Sequence, residues 1–74
     1  MKEIWIIDDD EEMARAIGLM LKLLDYRTFS FLNARSMVET LLTGKKPHLM
    51  IVDINMPEVS GLVLIEFLRR RPEW

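Results

Sequence analysis

Two short runs of apolar residues, each followed by aspartate, constrain the fold of this 74-residue chain more than any other feature. Residues 4–7 lead into three consecutive aspartates at 8–10, and residues 49–52 lead into Asp53. A strand that is apolar at every position is typical of a parallel sheet covered on both faces. Ligands of open parallel sheets lie beyond the carboxyl ends of the strands. If the two strands are neighbours, their terminal carboxylates therefore meet at one site.

The rest of the chain alternates between strand and helix signals. Strands are predicted over residues 3–7, 27–31 and 48–53, and helices over about 11–24, 34–43 and 61–71. The first helix carries apolar residues at helical spacing on one face: Met13, Ile17, Met20, Leu21 and Leu24. The predicted N-caps are Asp10, Asn33 and Ser60, and Pro72 ends the third helix. This βαβαβα order predicts an α/β fold with parallel strands joined by right-handed crossovers.

Composition excludes several classes of protein. Seventy-four residues allow one small domain, residues 1–74, and a net charge of −2 lacks the basic footprint of a nucleic-acid-binding segment. The absence of cysteine excludes a disulfide framework and a thiolate metal site. No apolar run approaches the roughly 20 residues of a membrane span, and the first residues do not form a signal peptide. We therefore expect a cytoplasmic protein without membrane contact.

The predicted meeting of carboxylates favours a metal site. Asp8 and Asp9 face one point only if the chain turns after the first strand, and a helix cap at Asp10 requires such a turn. Crowded carboxylates raise one another's pKa, and a divalent cation relieves the repulsion. Oxygen ligands favour Mg²⁺, with Mn²⁺ as a substitute, and a carboxylate such as Asp53 can then attack phosphorus. The alternative is that these acids only cap and solubilise the fold.

The residues resemble the receiver domain of two-component response regulators. The resemblance rests on Ile-Ile-Asp-Asp-Asp at residues 6–10 and on Ile-Val-Asp-Ile-Asn-Met-Pro-Glu-Val-Ser-Gly-Leu at residues 51–62. The receivers of nitrogen-regulator-type transcriptional activators are the most similar. The resemblance implies a flavodoxin-like fold with three parallel strands in the order 2-1-3 and helices on both faces, which is the N-terminal portion of a complete receiver.

The resemblance also implies roles for individual residues. Asp53 would be the phosphoacceptor, receiving a phosphoryl group from the phosphohistidine of a sensor histidine kinase upstream of transcription regulation. Asp9 would bind Mg²⁺ directly and Asp8 largely through water. Three consecutive aspartates also allow a register shifted by one residue to include Asp10, and we favour Asp8 and Asp9 because they directly follow the apolar strand. Further positions implied at the site are the Asn55 backbone carbonyl as a metal ligand and Met56, Pro57 and Gly61 in the adjoining loop.

The resemblance covers about the first half of a receiver and lacks the family's later Ser or Thr and Lys. It therefore implies a regulatory phosphoacceptor, not an enzyme, whose activity is reduced or lost. In the order 2-1-3 the third strand lies at an edge, so we expect another chain to complete it, as in a homodimer.

Two other functions stay open at this point. One is a non-catalytic fragment that self-associates. The other is an aspartyl-phosphate hydrolase of the haloacid-dehalogenase kind, which needs a nucleophilic aspartate with a second aspartate two positions later, as Asp8 and Asp10 allow. The one histidine, His48, is expected to be a solvated residue at the start of a strand.

Overall fold

The computed structural model describes residues 1–56 and 61–71 and contains the predicted alternation of strands and helices. The elements in chain order are β1 (Glu3–Ile7), α1 (Glu11–Leu23), β2 (Arg27–Phe31), α2 (Ala34–Leu42), β3 (Leu49–Val52) and α3 (Gly61–Arg69). The predicted elements are confirmed, with ends that differ by one or two residues. Three predictions, the loop residue Pro57, the N-cap Ser60 and the helix stop Pro72, lie outside the described residues.

The three strands form one parallel sheet in the order β2-β1-β3, as the sequence predicted. In the register of this sheet, Ile7 of β1 lies opposite Phe31 on one side and Val52 on the other. The next residues continue the pairing, because the Asp53 N–H donates to the Ile7 carbonyl at 2.9 Å. The carboxyl ends of β1 and β3 are therefore level with each other.

One face of the sheet carries the main hydrophobic core. Trp5 and Ile7 project from β1 and are fully buried, and the Trp5 ring lies 5.1 Å from that of Phe31. The other members of this core come from α2, α3 and the segment after β3, namely Ala34, Met37, Leu41, Met56 and Leu64. Asn33 caps α2 as predicted, because its side chain accepts a hydrogen bond from the Ser36 N–H at 2.8 Å. Residues of α2, α3 and the segment after β3 thus pack against this face of the central strand.

Helix α1 covers the opposite face of the sheet, where it packs on β1 and β2. Its buried residue is Ala14, whereas Met13, Met20 and Leu24 from the predicted apolar face are exposed. The bounds of the helix are therefore close to those predicted, but much of its apolar face is exposed and does not pack on the sheet.

Strand β3 lies at an edge, and β1 is its only partner strand within the described residues. Its first residue, Leu49, keeps 56% of its surface exposed. None of the helices in residues 1–56 and 61–71 has the length and apolar character needed to cross a membrane.

Candidate metal centre

The structure brings three carboxylates together at the carboxyl edge of the sheet. Asp8 follows β1 directly and Asp53 follows β3 directly, so the level ends of these strands place the two residues side by side. Oxygen atoms of Asp8, Asp9 and Asp53 all lie within 4.8 Å of one another. Asp8 and Asp53 are half-buried and Asp9 is exposed, which gives a site open to solvent on one side.

The third aspartate of the run, Asp10, lies outside the carboxylate cluster and caps a helix. Its side chain accepts a hydrogen bond from the Met13 N–H at 3.2 Å and thereby caps α1, as predicted. Its own backbone N–H donates to Asp8 Oδ1 at 2.9 Å. This bond closes the turn between β1 and α1. The turn explains how Asp8 and Asp9, which would point to opposite faces of a continuing strand, both reach the cluster.

The segment after β3 turns at once. Asp53 Oδ1 accepts a hydrogen bond from the Asn55 N–H at 3.1 Å, the pattern of an Asx turn. This bond fixes the carboxylate of Asp53 relative to the start of the loop and keeps Asn55 close to it. Met56 is buried in the hydrophobic core, so it anchors the loop beneath the site. Gly61 is the first residue of α3, and the metal contact predicted for the Asn55 carbonyl stays a prediction.

The environment of Asp8 disfavours its charged form. Burial has the largest effect and raises the pKa of Asp8 above its ordinary value. The hydrogen bond from the Asp10 N–H opposes this effect, while the negative charges of Asp53 and Asp10 and a hydrogen bond with the Asp53 carboxyl raise the pKa further. A cation bound at the site therefore neutralises these carboxylates and stabilises their charged forms.

Within residues 1–56 and 61–71, no basic side chain supplies that neutralisation. The ion pairs there link Arg15 to Glu11, Arg35 to Glu39 and Arg70 to Glu66, each one helical turn apart. Three clustered carboxylates that have no basic partner in the described part of the chain fit a hard divalent cation such as Mg²⁺, which takes oxygen ligands and retains several waters.

Comparison with known proteins relates this chain to response regulators. A family model described as the response regulator receiver domain matches residues 4–74. The chain is 33% identical over 67 residues to the regulatory protein VanR of Enterococcus faecium, covering 90% of this chain and 29% of that protein. It is 28% identical over 68 residues to the DNA-binding transcriptional regulator NtrC of Escherichia coli strain K12, covering 92% and 14%.

The fold is also similar to a solved structure of a response regulator. The crystal structure of TrrA from Thermotoga maritima in complex with Mg²⁺–BeF gives a TM-score of 0.90 at 25% identity, with 99% of this chain and 63% of that chain covered. This chain therefore spans under two thirds of that structure and a smaller share of the curated relatives. The similarity to NtrC confirms the predicted resemblance to nitrogen-regulator-type activators. Because the family model extends over nearly the whole chain, the protein belongs to the response regulator receiver domains of two-component systems.

Proposed function

We propose that this chain is a phosphoacceptor module in which Asp53 receives a phosphoryl group from the phosphohistidine of a sensor histidine kinase. A carboxylate oxygen of Asp53 attacks phosphorus, the phosphorus–nitrogen bond breaks, and the leaving imidazole takes up a proton. The products are an acyl phosphate on Asp53 and a free histidine on the kinase. The observation that carries this proposal is the convergence of Asp8, Asp9 and Asp53 within 4.8 Å at the ends of neighbouring strands.

Mg²⁺ is the cofactor that we propose for this site, with Mn²⁺ as a substitute. Asp8, Asp9, Asp53 and the Asn55 carbonyl would hold it. When bound, the cation neutralises charge on the transferred phosphoryl group. The protein's own contribution is positional: the Asp10 N–H holds Asp8, and the Asn55 N–H holds Asp53.

The hydrolase alternative fits the geometry less well. It requires an aspartate two positions after the nucleophile to act at the same centre, and Asp10 is the residue at that distance from Asp8. Because the Asp10 carboxylate caps α1 and is not a member of the cluster, that role is not available to it. The family relationship favours the receiver as well.

Self-association through β3 is the second part of the proposal. Within the described residues the outer edge of β3 has no partner strand, and its first residue, Leu49, is exposed. Pairing β3 with the β3 of a second copy about a two-fold axis would give one continuous six-stranded sheet. This observation also favours the second candidate function, a self-associating module without phosphoryl transfer. Either module would act in the cytoplasm, upstream of transcription regulation.

Reaction with acetyl phosphate tests the assignment of Asp53. The chain is incubated with acetyl phosphate and Mg²⁺, and the site of any adduct is located by peptide mass spectrometry. We expect one phosphoryl group on Asp53. It should not form when EDTA is present during the incubation or in Asp53→Asn, while Asp10→Asn should still react. An adduct on Asp8 would favour the hydrolase, and the absence of any adduct would favour the self-associating module.

A further inference from the structure

His48, immediately before β3, makes two hydrogen bonds to one residue of the neighbouring strand. Its backbone N–H donates to the Glu3 carbonyl at 2.8 Å. Its ring nitrogen Nδ1 accepts a hydrogen bond from the Glu3 N–H at 3.0 Å. Both backbone polar groups of Glu3 are thus bonded to a single residue 45 positions away in the chain. The sequence predicted only a solvated residue here.

The imidazole occupies the place of a backbone acceptor in the sheet ladder. Glu3 begins β1, and the pairing of β1 with β3 starts one residue later, at Ile4 and Leu49. The side chain of His48 therefore extends the ladder by one bond at the end of the sheet opposite the acidic cluster. At the other end the Asp53 N–H bonds to Ile7, so the four-residue strand β3 is fixed to β1 at both ends.

We propose that His48 is a proton-sensitive latch that holds the start of β3 against β1. Nδ1 accepts a hydrogen bond only while it carries no proton, because a protonated imidazole has two donors and no acceptor. Protonation would set the Nδ1–H of His48 against the N–H of Glu3. The latch is therefore closed while the imidazole is neutral, and it opens when acid protonates the ring.

The charged groups around the latch do not replace the lost bond. The Glu3 carboxylate is the nearest acid on β1, but its Oε1 accepts a hydrogen bond from Trp5 Nε1 at 2.8 Å. No ion pair joins it to His48 in the part of the chain that the structure describes. Lys2 directly precedes β1, and Lys46 lines the same surface depression as His48. Neither basic side chain is an acceptor that could replace His48 Nδ1. From α2, that depression is lined by the apolar Leu41.

The consequence falls on β3, the strand that Asp53 directly follows. Among the described residues β3 pairs only with β1, so its strand hydrogen bonds there are all made to β1. Opening of the latch would weaken the pairing of the first residues of β3 with β1. The latch acts through strand pairing, and it does not require that Asp53 be phosphorylated.

Nuclear magnetic resonance of the full 74-residue chain tests the latch directly. We expect a neutral His48 with its proton on Nε2 at pH 8. The protection of the Glu3 amide against hydrogen exchange, corrected for the intrinsic rate, should fall about fivefold between pH 8 and pH 5, equivalent to one neutral hydrogen bond.

His48→Asn is the matched control, since its side-chain oxygen accepts a hydrogen bond at every pH tested, and His48→Leu removes the acceptor. The asparagine variant should keep the Glu3 protection at pH 5, and the leucine variant should lack it at pH 8. Glu3→Gln should keep the pH dependence of the wild type. A proton on Nδ1 at pH 8, a pH-independent protection in the wild type, or an equal loss in His48→Asn would each overturn the proposal.

Discussion

The run of three aspartates offers a test that separates a metal ligand from a helix cap. Asp9→Asn and Asp10→Asn each remove one negative charge at adjacent positions. Asp9 belongs to the carboxylate cluster, whereas Asp10 caps α1. Asparagine caps a helix about as well as aspartate, so Asp10→Asn should keep the fold and lose only a helix-dipole interaction worth about 0.3–1 kcal/mol.

Charge repulsion within the cluster and the concentration of Mg²⁺ relative to its Kd set the expected effect of the metal on stability. Two unit charges 4.8 Å apart, the limit within which the cluster's oxygens lie, repel by about 1 kcal/mol in water and about 3 kcal/mol at an effective dielectric constant of 20. A cation bound only to the native state relieves this repulsion. At 100 times its Kd it stabilises the fold by about 2.7 kcal/mol. For a domain of this size, that corresponds to a rise in Tm of about 11–22 °C.

The assay measures Mg²⁺ binding first and stability second. Tryptophan fluorescence, from the buried Trp5 and from Trp74, gives the wild-type Kd. Thermal melts then compare EDTA with Mg²⁺ at 100 times this Kd, at matched ionic strength. Asp10→Asn should show the full rise in Tm, and Asp9→Asn should show almost none. Equal responses from the two variants, or a loss confined to Asp10→Asn, would refute the assignment of Asp9 to the metal site.

Three further predictions follow from other parts of the structure. Burial and the charge of Asp53 raise the pKa of Asp8, so the folded chain binds the Asp8 proton more tightly than the unfolded chain does. The stabilisation that this proton gives is fully present below the ordinary pKa of 3.8 and is lost as the pH rises through the raised pKa of the folded state. Asp8→Asn should therefore raise the metal-free Tm at pH 7, and its Tm should equal that of the wild type near pH 3.8. Thermal melts in EDTA over a range of pH would measure this. Met37 is fully buried, so Met37→Ala should lower the free energy of unfolding in urea by about 2–5 kcal/mol, whereas the exposed Met20→Ala should change it by under about 0.5 kcal/mol. Leu49→Lys should convert a dimer to a monomer in light scattering after size exclusion, and an unchanged mass for the variant, or a monomeric wild type, would contradict pairing through β3.

The elements that the sequence predicted well are those in which one local signal dominates. Uniform apolar character identified β1, and all of Ile4–Ile7 is buried. Short polar residues at the start of helical patterns identified the caps at Asp10 and Asn33. These signals act over three or four residues, so tertiary contacts do not override them.

The orientation of α1 could not be predicted in the same way. Hydrophobic periodicity gave a wide apolar face, but only part of that face fits against the sheet. The close contact is made by small residues: Ala14 is buried, and a Cβ at Gly18 would lie 3.6 Å from Thr28 Oγ1. A small side chain permits close approach to a sheet although it adds little to a hydrophobic pattern. Which part of an apolar face is buried therefore depends on the shape of its partner.

The acidic cluster shows how a fold assigns different roles to identical residues. Asp8, Asp9 and Asp10 have the same chemistry, but the pairing of β1 ends at Ile7, which leaves Asp8 beside the end of β3. The first turn of α1 needs a cap, and the start of the helix at Glu11 makes Asp10 that cap. Asp9 lies between these two fixed points, and the bond from the Asp10 N–H to Asp8 closes the turn that directs it to the cluster. The end of the strand and the start of the helix thus decide which carboxylates gather around Asp53.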